Sequence, residues 1–499
     1  MLLDTFNPYK PAIIDWPELA PDALARVTGL PVWTIAVETE DRASAHIGLM
    51  AERTGDPLIR EALTLMAFEE NRHRKVLDAL VARYGIKLDP LPKYVPSPRT
   101  EWNFMSTGYG ECLDSFFAFG LFELARRSGY FPPELVAARH RFQQGSIDHA
   151  ALRQVEDAAI ADVVRRQEQA GFQVVVDGEF RRENWWIDFV QGLSGVEIQE
   201  GNPAQAFVAP TAGCGHDHGS TDDAEQGWKY VPKNVLTTQR LGLAAPITAP
   251  DYSYLQSLTQ RTAKVTLPSP TRLHFHGGRT AVSRQAYPEI EDFFADVVKV
   301  YRAEIAALEA AGCRYIQIDD PLMTYFISDR MRAEVIAAGD DPQQRLQRYV
   351  DLTNACIAGR RADTAIGIHV CRGNSRSGWI AEGGYQRIAE TVLGGLKVDH
   401  FLLEYDDERS GDFAPLRHVP RGVKVVLGLV TTKFGRLENA DDLKRRIDEA
   451  SRLVPLDDLA ISPQCGFAST VDGNIISTDD QWRKLERVVE VARSVWGSA

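Results

Sequence analysis

No stretch of this sequence approaches the ~20 consecutive apolar residues that span a bilayer. The opening Met-Leu-Leu-Asp-Thr-Phe-Asn-Pro carries no basic segment ahead of an apolar core. Neither a membrane-spanning helix nor a secretory leader is expected, and the chain reads as cytoplasmic. Cysteine is scarce: Cys112, Cys214, Cys313, Cys356, Cys371 and Cys465 are the only six in 499 residues. They are too few and too scattered for a disulfide scaffold, so each matters as a core residue, a nucleophile or a metal ligand. Positive charge is in deficit. Lys and Arg number 56 against 69 Asp and Glu, a net charge of −13, which argues against a nucleic-acid or anionic-membrane partner. A Gly-rich dinucleotide fingerprint is missing after the first predicted strand, which weighs against an open doubly wound sheet.

Hydrophobic residues make up 44% and charged residues 25%, as in an ordinary globular chain. The length exceeds the ~250 residues of a single β/α barrel, so two domains are expected. Residues 1 to about 145 read as helical. In 31–54, 57–84 and 106–127 apolar positions recur at three-to-four spacing between Pro- and Gly-containing turns. The segment from Lys87 to Thr100 holds four prolines without periodicity and reads as a connection. After about 146 the rhythm changes. Short apolar runs at 173–177, 263–267, 314–319, 365–371, 398–404, 423–430 and 459–465 alternate with helical stretches at 149–170, 289–311, 342–360, 384–396, 440–453 and 480–496. Such alternation predicts a mostly parallel sheet, and seven strands fall one short of a closed eight-stranded barrel. Residues 200–230 read as a surface excursion, in which Cys214, His216, Asp217 and His218 cluster metal-ligand types, with adventitious binding or plain solvent exposure favoured over a dedicated site.

Several of these runs end in residues capable of chemistry. Run 173–177 leads into Asp177-Gly178-Glu179, run 314–319 into Asp319-Asp320, run 365–371 into His369 and Cys371, run 398–404 into Glu404 and run 459–465 into Cys465. In a β/α barrel the C-terminal strand ends meet at one rim, which carries the active site. His369 and Cys371 are two apart and share one face of a strand. With Glu404 and Cys465 they offer one imidazole, two thiolates and one carboxylate, a donor set suited to tetrahedral zinc. A single Cys in an apolar run is ordinarily a small core residue; it is the succession of ligand-type strand ends that favours a metal.

The phrases DGEF (177–180), HFHGGR (274–279), AGCRYIQIDD (311–320), HVCRGN (369–374), LEYDDERSGDF (403–413) and SPQCGF (462–467) follow in order. Through them the chain resembles the catalytic barrel of cobalamin-independent methionine synthase, especially its short single-barrel relatives, from about residue 130 to 499. The resemblance implies an α/β fold, a (β/α)8 TIM-type barrel, with zinc held by His369, Cys371, Glu404 and Cys465. It implies that Cys371 and Glu404 stand at the reacting centre, with Glu404 the ligand that exchanges when the substrate sulfur arrives. It also implies that Glu179 and Asp319 hold the amino group of a homocysteine-like amino acid. The thiolate would then take a methyl group from a 5-methyltetrahydrofolate-type donor, forming methionine. Three features depart from the family pattern. The full-length synthases place a proton-donating His after the strand that here runs from Val425 to Thr431, and this chain has Val430 there. The second, N-terminal barrel that helps bind the polyglutamate tail is absent. The Gly-Ser-x-x-Pro-like turn that cradles the amino-acid carboxylate is missing, with Ser128 the candidate substitute. Zinc-dependent alkyl transfer to another thiol is the alternative these departures leave open.

Residues 30–135 resemble a ferritin-like di-iron segment. Such bundles use inward-facing Glu and Glu-x-x-His residues. The chain offers Glu38 or Glu40 on the first helix, Glu70 and His73 on one face of the second, and Glu111 on the third. The fourth helix is missing, because Phe131-Pro132-Pro133-Glu134-Leu135 leads into the barrel's first helix instead. Together the two resemblances imply domains of 1–130 and 131–499. They add a degenerate iron site, with a di-iron oxidoreductase or a non-catalytic fusion as further alternatives. They also imply an apolar helical face suited to a homodimer. Arg279, Arg284 and Arg372 are candidates to grip an anion, and Trp185 and Trp186 to stack on a flat ring; structural roles are the alternative for each.

Overall fold

The structure is a computed structural model. It describes residues 33–88, 133–199, 233–374, 377–468 and 476–497, together with positions 24, 28, 100, 101, 103, 104, 207–209, 228–230, 473 and 474. The chain divides into two units, residues 1–123 and 124–499. Glu111, Ser128, Cys214, His216, His218 and the expected helix 106–127 lie outside the described residues.

In the first unit, α1 (Trp33–Arg53) and α2 (Pro57–Tyr84) form a helical hairpin. Asp56 starts α2 by accepting from Leu58 N at 2.8 Å and Ile59 N at 3.1 Å, Pro57 supplies a preset φ, and Gly85 ends it at φ 64°. Ile47, Ala51 and Leu63 pack with Met50, Ala67 and Phe104 between the helices.

The second unit begins with α3 (Pro133–Gln143) and α4 (His149–Ala170), the latter capped by Asp148 and closed by Gly171. Then come β1 (Val174–Val175), β2 (Ser194–Gln199), β3 (Phe207–Ala209), β4 (Trp228–Tyr230), β5 (Asn234–Gly242), α5 (Ala249–Ser257), β6 (Thr262–Ala263) and β7 (Val265–Pro268). From there strands and helices alternate: α6 (Ile290–Ala310), β8 (Tyr315–Asp319), α7 (Asp329–Ala337), α8 (Pro342–Ile357), β9 (Ala365–Val370), β10 (His400–Glu404), β11 (Lys424–Val430), α9 (Ala440–Ser451), β12 (Leu459–Pro463) and α10 (Thr478–Trp496).

Strands β7 to β12 form one parallel sheet in sequence order, and β1 pairs in parallel with β6, which continues into β7 across Lys264. All seven predicted runs are thus parallel strands of a β/α barrel. Among the described residues the eighth place, between β12 and β1, is not filled. Period-two alternation sorts the side chains. Leu267, Ile316, Ile318, Ile366, Ile368, Phe401, Leu403, Val425 and Leu427 are buried against the helices. The opposite faces of the same strands carry Lys264, Thr266, Gln317, Asp319, His369 and Glu404.

Two local expectations need correction. The stretch 384–396 forms only a turn at Tyr385–Arg387 and one helical turn at Ala389–Val392. Gly394 and Gly395 weaken any continuation, since Gly costs a helix about 1 kcal/mol relative to Ala. The excursion at 200–230 also holds strands that its composition concealed, β3 pairing antiparallel with β4, and it is flanked by the unpredicted antiparallel pair β2 and β5.

Candidate active site at the strand ends

His369 lies near the end of β9, Cys371 just beyond it, and Cys465 two residues past β12. Their ligand atoms all lie within 4.8 Å of one another. His369 Nε2 is buried with no hydrogen-bond partner, an orphan of the kind a metal satisfies. One imidazole nitrogen and two sulfurs suit zinc, so the donor set fits the metal the sequence predicted. The electrostatics push the two thiols apart, one toward the thiolate and the other away from it. The hydrogen bond from Cys371 pulls Cys465 well below the ordinary thiol range, against its burial and with help from His369. The same bond, with burial, pushes Cys371 well up. Burial alone would lower His369, but the charges of Cys465, Asp319 and Glu404 outweigh it and raise the imidazole to about 9.

Glu404 does not belong to that close trio. Its carboxylate has no solvent exposure. Oε2 accepts from the Arg372 backbone N–H at 2.8 Å, and Oε1 from Arg409 Nη2 at 2.6 Å. Burial works against its charge, yet Lys433, Arg409 and Arg372 hold it down to about 2. Glu404 is therefore an ionised carboxylate beside the trio, restrained by cations.

The Asp177-Gly178-Glu179 turn sets the second part of the site. Glu179 adopts φ 56°, a left-handed conformation uncommon for a residue with a side chain and enriched at functional sites. Its N–H donates to Asp177 Oδ1 at 2.9 Å. Its Oε1 accepts from the Thr266 hydroxyl at 2.6 Å, while Arg182 donates to that hydroxyl and to the Thr266 carbonyl, each at 2.8 Å. Asp319 pairs in register with His369 across β8 and β9. Burial pushes its pKa up to about 6, with the Glu179 charge adding to the rise and His369 opposing it. Glu179 and Asp319 thus put two carboxylates beside the metal-ligand trio, an arrangement able to receive an ammonium group.

Sequence reasoning missed Arg182, Thr266, Gln317, Arg409 and Lys433. Lys433 was available to the same rule that found the others, since it follows the run Val425–Val430. It is 1% exposed and donates to Asn374 Oδ1 at 3.2 Å. Other candidates have structural roles. Arg372 is fully buried, donating to the carbonyls of Gly383, Glu404 and Ser410. Arg279 is spent on the carbonyls of Val282, Tyr287 and Pro288. The Trp186 ring is 2% exposed, with the Arg272 guanidinium 3.8 Å from its centroid. In the first unit, Glu40, Glu70 and His73 come within 4.8 Å of one another, His73 Nδ1 lying 3.3 Å from Glu70 and 3.6 Å from Glu40. Glu38 instead pairs with Arg42. No helix among the described residues is long and apolar enough to cross a membrane.

Strand-end thiols, imidazole and carboxylates on a parallel β/α framework define a barrel enzyme built around a candidate metal centre. Residues 128–493 match the family described as "Cobalamin-independent synthase, Catalytic domain", and the chain belongs to that family of methyltransferases. It is 41% identical over 361 residues to the uncharacterized protein YxjH of Bacillus subtilis, covering 72% of this chain and 90% of that one. It is 23% identical to a methionine synthase of Pyrococcus abyssi, covering 68% and 82%. A protein of Listeria monocytogenes, solved as a candidate vitamin-B12-independent methionine synthase, superposes with a TM-score of 0.56 at 34% identity, covering 74% of this chain and 96% of that one.

Proposed function

We propose that the chain is a zinc-dependent methyltransferase that moves a methyl group from a 5-methyltetrahydrofolate-type donor to homocysteine, forming methionine. The observation that carries this reading is the convergence of His369, Cys371 and Cys465 at the strand ends, in a family of methyltransferases. These three would hold zinc, with Glu404 the fourth and exchangeable partner. Zinc, when bound, would lower the pKa of an incoming thiol so that it reacts as a thiolate near neutral pH. The chain's own residues supply the rest. Glu179 and Asp319 orient the substrate through its ammonium, Thr266 and Arg182 hold Glu179, and Arg409 restrains Glu404. The sulfur–methyl bond forms as the bond from the methyl group to the donor nitrogen breaks, and that nitrogen takes up a proton.

One observation favours a second reading. Val430 is fully buried and apolar, so it cannot supply that proton, and a donor with a better leaving group would need none. Alkyl transfer from a non-folate donor is the alternative this supports. The barrel is assigned to 131–499 and a helical segment to 1–130. Among the described residues of the helical segment, Glu40, Glu70 and His73 would offer ligands to one metal ion.

The test is methionine formation by purified, zinc-loaded protein from L-homocysteine and a panel of methyl donors, followed by mass spectrometry. Zinc-dependent methionine formation is expected with a methyltetrahydrofolate. Turnover with only a non-folate donor selects the second reading, and no product with any donor overturns both.

A further inference from the structure

Lys264, Gln317 and Asp319 form a polar column inside the barrel that the proposed chemistry does not itself explain. Barrel interiors are ordinarily filled by Val, Ile and Leu, and burying an amide or an ammonium costs free energy unless its hydrogen bonds are made. Here they are made in series. Lys264 Nζ donates to Gln317 Oε1 at 2.7 Å, and Gln317 Nε2 donates to Asp319 Oδ1 at 2.6 Å. The direction is forced at the first step. An ammonium can only donate, so it takes the amide oxygen and turns the NH2 end toward Asp319. The carboxylate is thereby held through Oδ1, which leaves Oδ2 for a ligand. The neighbouring strand treats Glu179 alike, Thr266 holding its Oε1. Thr266 and Gln317 are register partners, so the two carboxylates are fixed from adjacent positions of one interior layer.

We propose that Lys264 and Gln317 are positioning residues that fix Asp319 for an α-amino group, and so make the site select amino thiols over thiols of equal length without the amino group. This rests on the reading that Asp319 holds the substrate ammonium. An apolar layer at 264 and 317 would have filled the same space without orienting the carboxylate, which is why a purely packing role does not account for the column.

The test is calorimetric binding of L-homocysteine and of 4-mercaptobutyrate to the full-length, zinc-loaded protein, for wild type, Gln317→Leu and Lys264→Met. Zinc content is measured alongside. Wild type is expected to favour homocysteine. Loss of a charge-assisted hydrogen bond at the carboxylate should weaken homocysteine about tenfold in Gln317→Leu. The Kd for 4-mercaptobutyrate and the zinc content should not move. Lys264→Met should shift the homocysteine Kd in the same direction by a smaller factor, and it decides the matter if Gln317→Leu does not fold. Equal weakening of both thiols, or a wild-type preference retained in the folded variants, overturns the positioning role alone. A wild type with no preference for homocysteine overturns the amino-group reading, and the positioning role with it.

Discussion

Replacing Arg409 with Met removes the shortest contact that Glu404 makes, and its cost can be worked from the structure. The pair is buried, Arg409 showing 7% side-chain exposure and Glu404 none, with a hydrogen bond of 2.6 Å. Breaking a buried ion pair by deleting one partner typically costs about 3–5 kcal/mol, because the other charge is left uncompensated. Arg372 and Lys433 remain as partial compensation. A second route gives a similar scale. Glu404 is held at about 2 against an ordinary value of 4.5, which corresponds to about 3 kcal/mol of stabilisation shared among its cations. Arg409→Met should therefore destabilise the metal-free protein by about 2–3 kcal/mol at pH 7. The sign of the pH dependence follows from the depressed pKa. The stabilisation is present above the unfolded pKa, near 4.5, and is lost as pH falls toward 2. The gap between wild type and variant should therefore narrow at acid pH. Urea unfolding of chelator-treated protein at pH 7 and pH 3.5, in wild-type and Glu404→Gln backgrounds, measures it. A variant within about 0.5 kcal/mol of wild type at pH 7, where ordinary surface changes fall, refutes the reasoning. So does an equal loss when Glu404 is already Gln, since the cycle would show no coupling.

Two further outcomes follow from contacts elsewhere. Thr266→Val removes the hydroxyl that donates to Glu179 and accepts from Arg182; losing such a bond costs about 1–2 kcal/mol, so the homocysteine Kd should weaken several-fold while zinc content is unchanged, and an unaltered Kd would count against Glu179 as an ammonium partner. His274 is buried beside Tyr349, and burial lowers its pKa to about 3; the unfolded chain therefore takes up a proton near pH 6.5 that the folded protein refuses, so stability should fall by about 2 kcal/mol between pH 6.5 and 5, and a His274→Asn variant with the same pH slope in urea unfolding would show that another group is responsible.

The strands were legible because each apolar run is short and several end in polar residues that a barrel places at one rim. The same rule located His369, Cys371, Glu404 and Cys465. It could not show that Glu404 stands apart from the other three, where its carboxylate accepts from Arg409, five residues further along a loop whose path no periodicity encodes. Gln317 was readable in principle. In Tyr315-Ile316-Gln317-Ile318-Asp319 the alternation puts it on the face of Asp319, but its partner Lys264 lies on another strand. The β2–β5 pair escaped for a related reason: its strands are polar and separated by a long excursion, so neither shows a pattern alone. Helix 384–396 was over-read because apolar spacing continues through Gly394 and Gly395, where the backbone does not.

The central claim is that Cys371, with His369 and Cys465, holds a zinc ion on which methyl transfer depends. Zinc content by mass spectrometry, compared between wild type, Cys371→Ser and Cys356→Ser, tests it most directly, because Cys356 is also buried but lies in the core on α8. About one zinc per chain is predicted for wild type and Cys356→Ser, with most of it lost in Cys371→Ser. Equal zinc in all three proteins, or none in wild type grown with zinc, would contradict the account.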